Sequence, residues 1–568
     1  MTYFMAPASK YASNFIVILV TVIYLLSGMP VNAATANSDE VKKTDLILAV
    51  PAATAPLQYN CISKIFTGNK EIDSYRRIPP VNFSNGQNYN GIEGITTFRG
   101  NNYRDTASYG FAQIRQAKLE LIWQMNTGKI LKGNATGYRT GSGWTGQPLI
   151  IKWPAETKRI MNLYQAGQAD ADLVEVVYAC LDSKIYFINL RDGTPTRPVI
   201  GIGGGPIKGT CSLYPDGTPM LFVGHGDRKY DSQTNTVAYS IYSLLDGALI
   251  YTMPDAASDP NAYRTWHAYD SSALIHAPTD TLIEAGENGI IYTITLNTQY
   301  DPKLGRLSVN PDLALKLNYT TPDYDDQGDN TPGTRWWGFE SSPAAWRNYL
   351  FIADNGGKLM CVDINSMKIV WVQDIWDDSN STPLLEESFK DGKNYIYIST
   401  SLRITRDKSN QGKIPIWKID ASNGEIIWQS EPYNCYTISS RGMSGGVGAT
   451  GVVGKHNISN LVIYPIARTP SLNSGRLVAL DKESGKEVWS VPMTHYTWSS
   501  PVDIYTPQGK GYIVQCDSAG NMFLIDGASG KVLDAIRLEG AIESSPVVYD
   551  DIIVVGTRGQ KIYGIRVN

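Results

Sequence analysis

The sequence predicts an all-β fold, an eight-bladed β-propeller of four-stranded antiparallel blades, on three observations. One unit is written nearly twice at the C-terminus: Ser499-Ser500-Pro501-Val502 opens a copy that restarts 45 residues later at Ser544-Ser545-Pro546-Val547. Within each copy, short β-rich runs alternate with Gly, Ser and Asp turns and show no helical apolar period. Four strands recurring every ~40–50 residues are the mark of a propeller blade. Finally, an isolated run, Leu119-Glu-Leu-Ile-Trp123-Gln-Met-Asn-Thr-Gly128, reads as a fourth strand with no blade of its own.

The chain has 568 residues, which stacked blades combine into one large domain despite the length. Only 18% are charged, and Gly (52), Tyr (34) and Trp (13) are prominent, as suits many strands joined by tight turns. The net charge of −4 offers no basic face for a phosphate backbone, so nucleic acid is not an expected partner.

Residues 1–33 read as an export signal: Lys10, then the apolar run Phe15–Leu26, then Val31-Asn32-Ala33 as a small-residue cleavage site. The run is shorter than the ~18–20 residues that span a bilayer, so any membrane contact would come through an uncleaved signal. No Cys follows at lipoprotein distance, Cys61 lying well beyond it. An exported protein is expected, extracellular or in the cell envelope, and a monomer. Residues 34–118 read as a polar, Pro-containing extension, and 119–568 as the propeller. Cys180, Cys361 and Cys516 fall in packing slots of their repeats, which predicts buried free thiols; Cys211 and Cys435 are left open.

Eight inner strands are expected to start near Trp144, Ile207, Asp270, Glu340, Ser381, Arg441, Trp498 and Glu543. The units end alike: Ala479-Leu-Asp481-Lys-Glu-Ser484-Gly485-Lys-Glu-Val-Trp489 recurs at Cys361–Trp371 and Ile419–Trp428, and Asp534 takes the Trp position in the next copy. Asp and Gly build the turn, the Gly at φ > 0, and the Trp packs between neighbouring blades. The chain stops after the third strand of the eighth unit, so the 119–128 strand is expected to complete that blade and remove an open edge.

This ending resembles the tryptophan-docking motif of the pyrroloquinoline-quinone (PQQ) repeat family of eight-bladed propellers. The resemblance covers roughly residues 119–568 and is clearest after 338. It implies one of two functions. Quinoprotein dehydrogenases use PQQ and calcium, whereas cofactor-free members such as BamB act as scaffolds. The adjacent Cys pair typical of the alcohol dehydrogenases is absent, as is a Cys-x-x-Cys-His haem site.

Residues just ahead of each inner strand should line one mouth of the channel: Trp144, Trp266, His267, Asp270, Arg335, Trp336, Trp337, Glu340, Arg441, Trp498 and Glu543. Glu340 and Glu543, in blades four and eight, should face each other across the ring. Aromatics with acids, an Arg and a His suit a saccharide, a peptide or a polar small molecule. The alternative is that the Trp side chains plug the channel and the Glu side chains cap backbone amides. Asp323–Asp329 imitates the start of a calcium loop, but Thr334 stands where the closing Glu belongs. Gly442-Met443-Ser444-Gly445-Gly446 fits a nucleophile elbow without the required helix. No nucleophile–base pair or metal set is expected.

The leading expectation is therefore an exported, non-catalytic propeller that binds an extracytoplasmic protein or saccharide without a cofactor. The alternatives are a quinoprotein oxidoreductase using PQQ and calcium, or a carbohydrate-active enzyme built on acids such as Glu340 or Glu543. The Thr97–Asn102 segment is distinctive but suggests no mechanism.

Overall fold

The structure, a computed structural model, describes residues 50–568 apart from 132–136, 204, 227–236, 265, 322–336, 404–409 and 439–442. Eight antiparallel sheets form the ring. From blade one to blade eight, the inner strands are Leu149–Ile151, Ser212–Leu213, Leu274–His276, Ala344–Trp346, Leu384–Glu387, Val452–Val453, Val502–Tyr505 and Val547–Tyr549. Strand Leu119–Asn126 pairs antiparallel with Lys561–Val567, so the N-terminal strand closes the last blade.

The repeat ending works as a latch between blades. Trp123, Trp371, Trp428 and Trp489 donate their indole N–H to Leu190, Ala421, Lys482 and Gly527 carbonyls of the following blade, at 2.8, 3.1, 2.9 and 3.1 Å. Each ring lies on a glycine of that blade. A Cβ on Gly424 would come within 2.7 Å of Trp371, and φ there is +79°, so the position excludes a side chain twice over. Where Trp is missing, another group makes the link. Asp534 accepts the Leu119 amide (2.8 Å) and Lys118 Nζ (3.1 Å), tying blade seven to the closing strand. Arg197 of blade one donates to Leu244 O (2.7 Å) of blade two, its charge held by buried Glu175.

Around the channel, the Ser-Ser-Pro repeat forms a belt. Backbone amides of Ser272, Ser342, Thr382, Thr450 and Ser500 each donate to the second hydroxyl of the next blade (Ser342, Thr382, Thr450, Ser500, Ser545) at 2.9–3.2 Å. The first hydroxyl closes within its own blade at Ser341 (Oγ to Ala353 O, 2.7 Å) and Ser544, and crosses to the next blade at Ser499, whose Oγ donates to Ser544 O (2.7 Å).

The belt corrects one boundary. Blade six starts its inner strand at Val452, with Thr450 in the belt, so Arg441 lies too early in the chain to open it. An additional strand, Gly445–Gly446, intervenes and pairs with Ala467. All six cysteines are buried and free.

Residues upstream of the closing strand are woven into the ring. Ile62–Thr67 pairs with the outer strand Leu315–Thr320 of blade three. The segment 95–107 then reaches the inner strands of all eight blades. Ile95 pairs with Ile150, and Thr96 O accepts the Leu213 amide (2.7 Å). Thr97 Oγ1 donates to Ala273 O (3.0 Å). Asn102 O and Tyr103 O accept the amides of Ala345 (2.7 Å) and Leu385 (2.9 Å). Arg99 donates to Gly451 O and Pro501 O, both at 2.6 Å, and Ala107 O accepts the Val548 amide (3.0 Å). These contacts lie further along each inner strand than the belt's leading residues, so the segment seals the channel at the end opposite the expected mouth.

Candidate functional site: the mouth of the channel

The positions immediately before the belt are Thr145, Lys208, Asp270, Glu340, Asn380, Gly448, Trp498 and Glu543. They divide the mouth into an ionic half on blades two to five and an aromatic half on blades seven, eight and one.

In the ionic half, Lys208 Nζ pairs with Asp270 (2.5 Å) and approaches Glu287 (3.7 Å), which sits in the turn after Thr281–Ala285. Arg264 donates to Glu287 O (3.0 Å) and Asn355 Oδ1 (2.8 Å), and Asn355 donates to Asp378 (2.7 Å). Burial disfavours the Lys208 ammonium, but Asp270, Glu287 and Glu340 outweigh it and raise its pKa. Burial, with Glu340 alongside, lifts the Glu287 carboxyl well above its usual range and pushes Asp378 up to about 7. Among the described residues, the buried oxygens Asp270 Oδ1, Glu287 Oε1, Glu340 Oε2 and Asn380 Oδ1 meet no hydrogen-bond donor. Four such acceptors on one rim form a surface that would take hydrogen bonds from a ligand.

In the aromatic half, Trp144 and Trp498 meet edge to face (5.5 Å, 71°), and Tyr496 packs on Trp498 at 5.2 Å. Arg468 lies 4.0 Å over the Tyr496 ring. Glu543 pairs with Arg558 (3.4 Å) and accepts from Tyr496 Oη (3.4 Å). Trp144 and Thr145 both have positive φ (58° and 64°), a strained backbone that presents the indole, which stays half-buried.

The expected residues thus separate. Trp144, Trp498 and Glu543 form the aromatic half, Asp270 and Glu340 the ionic half, and the two Glu residues occupy distinct clusters. His267 caps the Asp259 amide (3.1 Å) within the 253–268 loop. Trp337 is 3% exposed in the core between blades three and four, its indole N–H on Thr321 (3.3 Å). Arg335, Trp336, Arg441 and the calcium-loop imitation at 323–329 lie outside the described residues. Lys208, Glu287 and Asp378 were missed in the sequence. Lys208 stood one residue after the expected start of blade two and was legible from alignment with Asp270 and Glu340.

Among the described residues, no three His, Cys, Asp or Glu side chains converge as a metal cage. The mouth carboxylates are drawn instead to Lys208, Asn355 and Arg558.

No curated protein matches the chain. Residues 473–568 match the family model described as outer membrane protein assembly factor BamB. Among solved structures, quinohemoprotein alcohol dehydrogenase ADHIIG from Pseudomonas putida HK5 is similar at 11% identity, covering 84% of this chain and 80% of its own, with a TM-score of 0.51. BamB from Moraxella catarrhalis is 13% identical over 79% of this chain and 97% of its own, with a TM-score of 0.43. The chain is thus an eight-bladed propeller that shares its fold with a quinohemoprotein alcohol dehydrogenase and matches the BamB family model over its C-terminal repeats.

Proposed function

We propose that this protein is an exported, non-catalytic binding ring whose mouth takes a saccharide. The observation that carries this reading is the pairing of half-buried indole rings with buried acceptor oxygens that lack donors among the described residues. A sugar offers C–H faces to aromatic rings and many hydroxyl donors to acceptors, so it satisfies both halves at once. With the opposite end sealed, ligand enters from one side only. No helix among the described residues is long and apolar enough to cross a membrane.

The test is a glycan array probed with the chain from residue 34 onward, followed by titration of the best glycan. Trp498→Ala should weaken binding at least about tenfold, or about 1.4 kcal/mol. An array with no bound glycan, or a Trp498→Ala variant that binds unchanged, contradicts the reading.

A protein partner is the second reading. It is favoured by the match to an assembly factor across residues 473–568, which carry Tyr496, Trp498, Glu543 and Arg558. Photo-crosslinking from position 498 to a protein in place of glycan binding would select it.

A further inference from the structure

At the sealed end, between blades five and six, a cavity of about 660 Å³ is lined by residues the mouth does not use. It opens beside Glu386 and Glu387 at the far end of one inner strand and beside Val453–His456 after the next. Lys418, Lys455 and Lys482 all line it, and Lys418 and Lys482 are only 6% and 5% exposed.

Their partners differ. Lys482 Nζ pairs with Glu386 and donates to Gly454 O (3.0 Å). Lys455 pairs with Asp105 (3.0 Å), and Lys390 at the rim pairs with Glu483 (2.9 Å). Lys418 has no carboxylate in bonding range among the described residues; its ammonium donates to Lys482 O (3.0 Å) and lies 4.0 Å over the Tyr395 ring. An ammonium carries three donors; with one on that carbonyl and one facing the Tyr395 ring, one remains for a ligand. Tyr103, 5% exposed, also lines the cavity, and its buried hydroxyl has no partner among the described residues. Burial lowers the pKa of both Lys418 and Lys482, against the raising effect of Glu483 and Glu386 on Lys418 and of Glu386 on Lys482.

We propose that this cavity is a second ligand site, which takes an organic carboxylate. Spare donors on Lys418 and Tyr103 call for a charged acceptor. The carboxylates of Asp105, Glu386, Glu387 and Glu483 share the lining, so a monoanion is repelled less than a dianionic phosphate. The ring of Tyr397 and the wholly exposed Phe389 at the rim provide apolar surface for the body of the ligand. Nothing in the site depends on the mouth.

Benzoate is the probe, titrated into the chain from residue 34 onward and followed by saturation-transfer NMR, with benzyl alcohol and phenyl phosphate as comparisons. Benzoate should bind, phenyl phosphate more weakly, and benzyl alcohol not at all. Lys418→Met should weaken benzoate at least about tenfold and Tyr103→Phe severalfold, both with an unfolding transition close to that of the parent. Trp498→Ala should leave benzoate binding unchanged, which separates this site from the mouth. No benzoate binding up to roughly 10 mM, beyond which an affinity is too weak to count as a site, or equal binding by Lys418→Met, overturns the proposal. Tighter binding of phenyl phosphate would reassign the site to phosphate esters and refute the carboxylate.

Discussion

The two ends of the channel bury charged groups among different partners, backbone carbonyls at the sealed end and carboxylates at the mouth. At the sealed end, Arg99 and Arg104 are fully buried with no carboxylate in bonding range among the described residues, and their guanidinium groups donate to backbone carbonyls and one hydroxyl. Arg104 alone donates to Pro343 O (2.8 Å), Thr97 Oγ1 (2.7 Å), Phe98 O (2.8 Å) and Ser272 O (2.7 Å), binding blades three and four to the segment. At the mouth, Asp270, Glu287, Glu340 and Asn380 each keep an acceptor unmatched among the described residues. Buried polar groups that satisfy one another hold a structure together. Both ends grow from the same repeat, so position along the inner strand decides which neighbours a buried polar group meets.

The sharpest way to break this comparison is to damage each end in turn. Arg104→Ala orphans carbonyls in two blades at once and should cost about 4 kcal/mol in chemical denaturation. A loss below about 1 kcal/mol would mean the segment is not a structural seal.

At the other end, Asp378 comes next. Burial, then Glu340, push its carboxyl up to about 7, against about 3.9 in an unfolded chain. Because the folded state holds the proton more tightly, the contribution of this group to stability is full below about pH 4 and is lost as pH rises through about 7. Asp378→Asn should flatten stability between those limits, by on the order of 3 kcal/mol. An unchanged pH profile would place Asp378 in a wetter setting.

The latch between blades, shared by both ends, responds less. Gly424→Ala forces a Cβ toward Trp371 at positive φ and should cost about 2 kcal/mol, visible as a lowered unfolding midpoint. The smallest expected effect on stability is that of Trp498→Ala, about 1 kcal/mol or less, because the ring is only half-buried.

What could be read in the sequence follows from how local the physics is. The Trp-on-Gly latch lies in consecutive repeats, each with its own Asp and Gly, so its spacing gave it away. The Arg197 latch did not show, because its charge is held by Glu175, 22 residues upstream in another strand. Thr97–Asn102 was visible as unusual, but its meaning depends on partners hundreds of residues away, such as Pro501 for Arg99. Trp337 was misplaced for a related reason. It stands in the run that leads to the belt, three residues ahead of Glu340, and its side chain turns into the core between blades. The start expected at Arg441 was displaced by the additional Gly445–Gly446 strand, which interrupts the usual spacing from blade to blade.

The most direct test of the central claim, that this ring binds by its mouth without a quinone, is calorimetric titration of the chain from residue 34 onward with PQQ and calcium. No calcium-dependent heat is expected, either from the parent or from Glu340→Ala. Tight calcium-dependent binding that disappears in Glu340→Ala or Trp498→Ala would contradict the claim and make the protein an oxidoreductase.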